Sequence, residues 1–405
     1  MRPSTSLLIC LQALSAPITA RPARCGSGKQ VGAANKVGKV IYTTTNDKDN
    51  AVVAIPISSN GMLSKGNKIA TGGAGSNFFD PAAKGPAAPD ALASQSALTV
   101  AGKNLFAVNA GSNTVTMFAI NQADPTKLTM VGQPVAVGGE FPNTVAASAK
   151  NKLVCVGSSG AKSGISCASF SANGIGAMDG LRNVDLNQTT PPAGPTNTIS
   201  QVFFSNDEKT LFTTVKGDPS IRKAGFFAAY QVQAGNAGAS VCQEGVQSSP
   251  NGTAVLFGSS TIPNSNDIFA TDASFGGAVL SVDPKTNVAS IKGMAAVDGQ
   301  KATCWVAVSP ATNTAFVTDV GANRLVEMSL KDASIKNTID LSANNDPGLT
   351  DLKAAGQFVY ALSPGNGTTP AAITVVDAVK KNQVQHFDLQ QLGAGKNAQG
   401  MAVLL

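Results

Sequence analysis

Histidine and tryptophan occur once each in this chain of 405 residues, and tyrosine occurs three times. The single His, His386, excludes a His-rich metal centre, and the six cysteines show no zinc-binding spacing. Charged residues make up only 13% of the chain, and beyond Arg24 the only arginines are Arg182, Arg222 and Arg324. The net charge of +6 comes from scattered lysines. With no basic run or aromatic-interleaved patch, nucleic acid is not an expected partner. No apolar run reaches the roughly 20 residues a membrane-spanning helix needs. There is no nucleophile elbow in a strand-turn-helix setting, no phosphate-cradling glycine loop and no calcium loop. No cofactor is implied, and no segment keeps a long helical period.

What is present is a repeat. An apolar pair opens a strand, a Gly/Asn/Asp/Ser turn follows, and a second apolar strand returns. The opening pairs are Ile41-Tyr42, Leu105-Phe106, Leu153-Val154, Leu211-Phe212, Ile268-Phe269, Ala315-Phe316 and Phe358-Val359, spaced 43 to 64 residues apart. Those spacings match or somewhat exceed the roughly 40 to 50 residues of a propeller blade. The 41 glycines and many asparagines supply the positive φ that tight turns need. Most pairs are preceded by a further short strand, at Ala91–Gln95, Thr144–Ser148, Ile199–Phe203, Trp305–Ser309 and Leu349–Leu352. These are the expected channel-lining strands, with Trp305 as a packing plug. The first repeat lacks such a strand, and the C-terminal segment Gly400–Leu405 has its pattern. The expected fold is therefore an all-β, seven-bladed β-propeller, closed by a C-terminal strand completing the first blade. Closure removes open sheet edges. Two packed sandwiches are the alternative.

Residues 1–20 read as a secretory signal peptide: Arg2, an apolar stretch Leu7–Leu14, and a small-residue cleavage site at Ile18-Thr19-Ala20. Residues 21–37 read as a flexible leader, and residues 38–405 as one propeller domain. Asn187, Asn251 and Asn366 head Asn-X-Thr glycosylation sequons, although Asn251 lies near an expected core strand. Cys10 leaves with the signal, so five thiols remain and at most two bridges form. Cys155 and Cys167 flank a Gly-rich turn, and Cys242 and Cys304 could join successive blades. The expectation is a secreted, extracellular or wall-associated monomer.

The stretch Leu105–Leu128, containing Val108-Asn109-Ala110-Gly111-Ser112-Asn113-Thr114-Val115, resembles the lactonase-type seven-bladed propellers. Thr303-Cys304-Trp305-Val306-Ala307-Val308-Ser309-Pro310, followed by Thr318–Glu327, resembles a secreted fungal branch of that group, the 3-carboxymuconate cyclase-like proteins. The resemblance covers residues 38–405. It implies a polar pocket at the channel mouth, with His, Arg and Glu handling a polycarboxylate. Here His386 falls in the alternating segment Val384–Leu389 and reads as an exposed outer-strand residue.

The candidate catalytic residues are then Arg222, Arg324, Glu140 and Asp90. Arginine suits a carboxylated substrate through bidentate pairing, and a buried carboxylate suits proton transfer. Asn109, Asn143, Asp272, Asp319, Asn323, Asp351 and Gln399 are candidate ligand-binding residues. Asp272 and Asp319 open equivalent turns, where turn capping is the competing role.

Two functions fit. One is a secreted propeller binding an extracellular or cell-surface partner, or a small molecule. The other is a lactonase or lactonizing enzyme using acid–base proton transfer. The expected secretion and the missing catalytic His favour the first, and convergence of Arg222 and Arg324 on one pocket would favour the second.

Overall fold

A computed structural model describes residues 37–236 and 238–405. The expected signal peptide, nearly all of the leader, Cys10 and Cys25 lie outside the described residues. The architecture is an all-β propeller of seven four- or five-stranded antiparallel sheets. All seven apolar pairs lie on the second strand of their blade. Those strands are Val40–Thr44, Asn104–Asn109, Leu153–Ser158, Thr210–Val215, Ile268–Asp272, Thr314–Asp319 and Phe358–Ser363. They are almost wholly buried because neighbouring blades cover both their faces. Outer strands such as Ala289–Ala296 and Asn382–Asp388 alternate partly buried and exposed residues, as an edge with one wet face should.

The first blade pairs Asn67–Ala70, Ala51–Pro56 and Val40–Thr44 with the C-terminal strand Gln399–Leu404. The expected ring closure is thus present, in register Val40↔Leu404, Ile41↔Val403 and Tyr42↔Ala402. The register shifts just beyond, between Tyr42 and Thr44. Gly400 sits there at φ 72°, and a Cβ on it would stand 2.8 Å from both Ala97 and Leu98 of the second blade. Only glycine meets both demands at little cost. Buried Asp351 holds the closing strand from the seventh blade, accepting the Met401 N–H at 2.8 Å.

Two expected inner strands differ. The seventh blade's inner strand is Leu352–Ala355 rather than Leu349–Leu352, and the second blade's is Leu98–Ala101 rather than Ala91–Gln95. Residues 91–97 are apolar enough for a strand but find their backbone partners elsewhere, across the centre of the ring. The turns between second and third strands and the blade-to-blade connections share one face, here the connection face. The remaining hairpin turns form the opposite, hairpin face. Clefts of 230 to 580 Å³ open among the hairpin-face turns and strand ends.

Cys155 and Cys167 are direct cross-strand partners in the third blade and form a disulfide, with Cα atoms 4.0 Å apart. The expected Cys242–Cys304 bridge is absent. Cys304 is buried on an inner strand and Cys242 follows an outer one, so both thiols are free. Among the described residues no helix is long and apolar enough to cross a membrane.

A chain ending at Asn397 loses the first blade's inner strand and the Asp351 contact. It should melt at least ~10 °C lower and self-associate through the exposed edge of Val40–Thr44. Calorimetry with light scattering checks this, and an unchanged, monomeric melt would contradict the closure role.

Candidate functional site at the plugged channel mouth

Residues 89–97 leave the first-to-second blade connection and thread the axis of the ring. Gln95 carries most of the anchoring. Its N–H donates to Ser200 O (2.8 Å) and its carbonyl accepts from Thr144 Oγ1 (2.8 Å). Its carboxamide donates to Val306 O (3.0 Å) and accepts from Val306 N (3.1 Å). One side chain and its peptide group thus join the third, fourth and sixth blades. Deleting the carboxamide would orphan a buried N–H and a buried C=O, at about 1–3 kcal/mol each.

Neighbouring bonds repeat the pattern. Fully buried Trp305 donates its indole N–H to Ser94 O (2.9 Å) and packs edge-on to Phe257 with centroids 4.8 Å apart. Trp305 is a packing plug, as expected, and also a hydrogen-bond anchor. Ser94 Oγ donates to Asn143 O (2.6 Å), and the Asn143 amide donates to Ile199 O (2.7 Å) and Leu92 O (3.3 Å). Gln399 donates to Pro89 O (3.3 Å). Asp90, Asn143 and Gln399 do converge around the channel mouth, with Asn143 and Gln399 holding the plug.

Lys216 is the residue that sequence reasoning missed. It follows the second strand of the fourth blade and is 2% exposed. Its ammonium donates to Ala93 O (2.5 Å) and Ser200 Oγ (3.3 Å) and stands 4.4 Å from the Phe257 ring centroid. Ala93 lies in the left-handed region at φ 48°, a costly conformation for alanine that presents its carbonyl to Lys216. The available signal was a lysine directly after the apolar strand Thr210–Val215 in a chain so poor in charge.

Asp90 lies in the electrostatic field of Lys216. It keeps some solvent contact, and its Oδ1 accepts from Ala93 N (2.9 Å). Burial of its carboxyl raises its pKa to about 6, against the opposing pull of the Ala93 N–H and Lys216. Burial likewise lowers Lys216 to about 8, with Asp90 opposing. Buried Cys304 lies in the same field. Burial, then the negative charge of Asp90, hold its thiol above the usual range, so it stays protonated and unreactive.

The other candidates are engaged elsewhere. Arg324 donates to Asp319 Oδ2 through Nε (2.9 Å) and Nη2 (2.8 Å), and Asp319 also accepts from Lys301 N. Arg222 is exposed at the end of a short 3-10 turn, Pro219–Ile221. Arg182 is buried, paired with Asp179 and bonded to the Val241 and Cys242 carbonyls, so it ties the third blade to the fourth. Glu140 accepts from Thr190 Oγ1. Asp272 caps its turn and the preceding connection, accepting from Ala254, Val255 and Ser274 N–H groups. Asn109 is fully buried between Asn50, Thr71, Thr114 and Thr116. Asn323 ends its turn at φ 49° and donates to Leu341 O. Asp351 pairs with Lys353 (3.2 Å). His386 is exposed on the last outer strand, as expected, and its ring is bonded to Asp346 (3.1 Å).

Above the plug, the connection loops of residues 77–88 and 187–196 meet. Phe79 N donates to Pro192 O and Gly194 N donates to Phe79 O, each at 2.8 Å. They form a strap across the connection face.

The periplasmic gluconolactonase of Pseudomonas aeruginosa superposes with a TM-score of 0.63 at 12% identity, covering 90% of this chain and 99% of that one. A candidate 6-phosphogluconolactonase from Bacteroides uniformis gives 0.52 at 15% identity, over 69% and 80%. A Desulfotomaculum acetoxidans protein of unknown function gives 0.55 at 11%, over 90% and 98%. At these identities the likeness shows the fold alone, the β-propeller. No family model matches the chain, and no curated protein matches it.

Lys216 lowers the proton affinity of Asp90, so Lys216→Met should raise the Asp90 pKa further above about 6. Carbon-13 carboxyl titration by NMR reads this directly, and an Asp90 titrating near 4 in both proteins would contradict the site. A folded-state pKa above the unfolded value means that Asp90's contribution to stability is full below about 4. It is lost as pH rises through about 6.

Proposed function

We propose that the chain acts on a small lactone by acid–base proton transfer at Asp90, with Lys216 tuning that carboxylate. The supporting observation is that both groups meet at Ala93 in the plug, whose N–H is donated to Asp90 and whose carbonyl receives Lys216, and burial there moves the carboxyl up to about 6 and the amine down to about 8. Between those values Asp90 is ionised and Lys216 is charged, which suits a general base held beside a fixed cation. Hydrolysis then runs as follows. Water adds to the lactone carbonyl as Asp90 takes its proton. The ring C–O bond breaks, and that proton passes to the leaving oxygen to give a hydroxy acid. Lactonization is the same path reversed. The lactonase-like neighbours support this class, and the resemblance to 3-carboxymuconate cyclases points to a carboxylated lactone. The paired state of Arg182 and Arg324 favours few carboxylates on the substrate.

A second reading has its own support. Arg324, Glu140 and Asp272 are bonded within the protein, and the channel is filled, as suits a non-catalytic propeller that binds an extracellular partner. Assay of the purified chain on a lactone panel separates the two. The enzyme reading expects kcat/KM to form a bell with limbs near 6 and 8, and Asp90→Asn to cost about 10²–10⁴-fold. No turnover of any lactone would leave the binding reading.

A further inference from the structure

The three sequons are spread over the chain, yet the fold gathers them. Asn187 lies in the connection from the third blade to the fourth, and Asn251 in that from the fourth to the fifth. Asn366 lies in the turn between the second and third strands of the seventh blade. All three positions belong to the connection face. All three asparagines are exposed. Among the described residues none of their side-chain amide nitrogens donates a hydrogen bond; Asn366 uses only its oxygen, accepting from Thr368 and Thr369. Asn251 is not masked by the core strand that follows, because Leu256 begins that strand beyond the turn. The hairpin face is also rich in asparagine, with Asn151, Asn173, Asn206, Asn264 and Asn313 in its turns, but none of these is followed by X-Ser or X-Thr.

We infer that Asn187, Asn251 and Asn366 carry N-linked glycans, and that the glycans clothe the connection face alone. The inference requires passage through a secretory route, which residues 1–20 are expected to provide. A nucleophilic amide nitrogen must be free, and the threonine two residues on must be present, for the acceptor to be used. The glycans then stand around the strap of residues 77–88 and 187–196. The hairpin face, where clefts open among the turns, stays bare.

The test is expression of the full chain in a eukaryotic secretory host. Intact mass is measured before and after peptide:N-glycosidase, and the converted asparagines are mapped by peptide sequencing. Three converted sites are expected, and Asn187→Gln, Asn251→Gln and Asn366→Gln should each remove one glycan mass. Thr189→Ala, Thr253→Ala and Thr368→Ala should do the same while leaving the asparagines in place. Hydroxyl-radical footprinting should show increased labelling near Phe79 and Arg222 after deglycosylation, with no change at Lys103, Lys152 or Lys209. An unmodified secreted protein, retention of the chain in the cytoplasm, or equal changes on both faces would overturn the inference.

Discussion

Everything at the centre of this molecule depends on how the backbone of residues 89–97 is satisfied away from any strand partner. A ring of seven blades leaves a channel into which seven inner strands turn their polar groups. Water could fill it, but here the chain does. Gln95 shows how this is achieved: its peptide and carboxamide replace ladder partners that a strand would have supplied, and they do so across several blades. Buried backbone groups tolerate such an arrangement only when nearly all are paired. Trp305, Ser94, Asn143 and Thr144 complete that pairing.

The electrostatics follow from the same constraint. Lys216 is buried because the Ala93 carbonyl and the Phe257 ring receive it, and Asp90 is held near it because its carboxylate accepts the Ala93 N–H while Gln399 fixes the adjoining Pro89 carbonyl. Desolvation pulls the two proton affinities toward neutrality from opposite sides. A structural plug thus sets the environment of both groups. Two arginines, by contrast, serve as struts. Arg182 joins two blades and Arg324 fixes a turn.

The ring was legible in the sequence because blade strands repeat their apolar pairs, and the closing strand because one inner strand was missing at the start and present at the end. The Asp272 turn was legible as local capping chemistry, whereas Asp319 makes no cap bond to its own turn and pairs with Arg324 instead. The plug was not. Ala91-Leu92-Ala93-Ser94-Gln95 has the composition of an inner strand, and only contacts with residues far along the chain, from Asn143 to Val306, decide otherwise. Lys216 was hidden for the same reason, since a lysine in a turn ordinarily faces water. The Cys242–Cys304 pairing failed because residue spacing carries no radial coordinate: one thiol follows an outer strand and the other lies on an inner one.

Native-state hydrogen exchange of the channel amides tests the role of the plug most directly. The N–H groups of Gln95, Val145 and Val306 bond across the plug to Ser200, Ser96 and Gln95. If residues 89–97 are the shared anchor of the ring, these amides exchange only through global unfolding, with the same denaturant dependence as the buried second strands. Exchange of the three amides by a low-energy local opening, while the blades stay protected, would show that the plug is a dispensable filler.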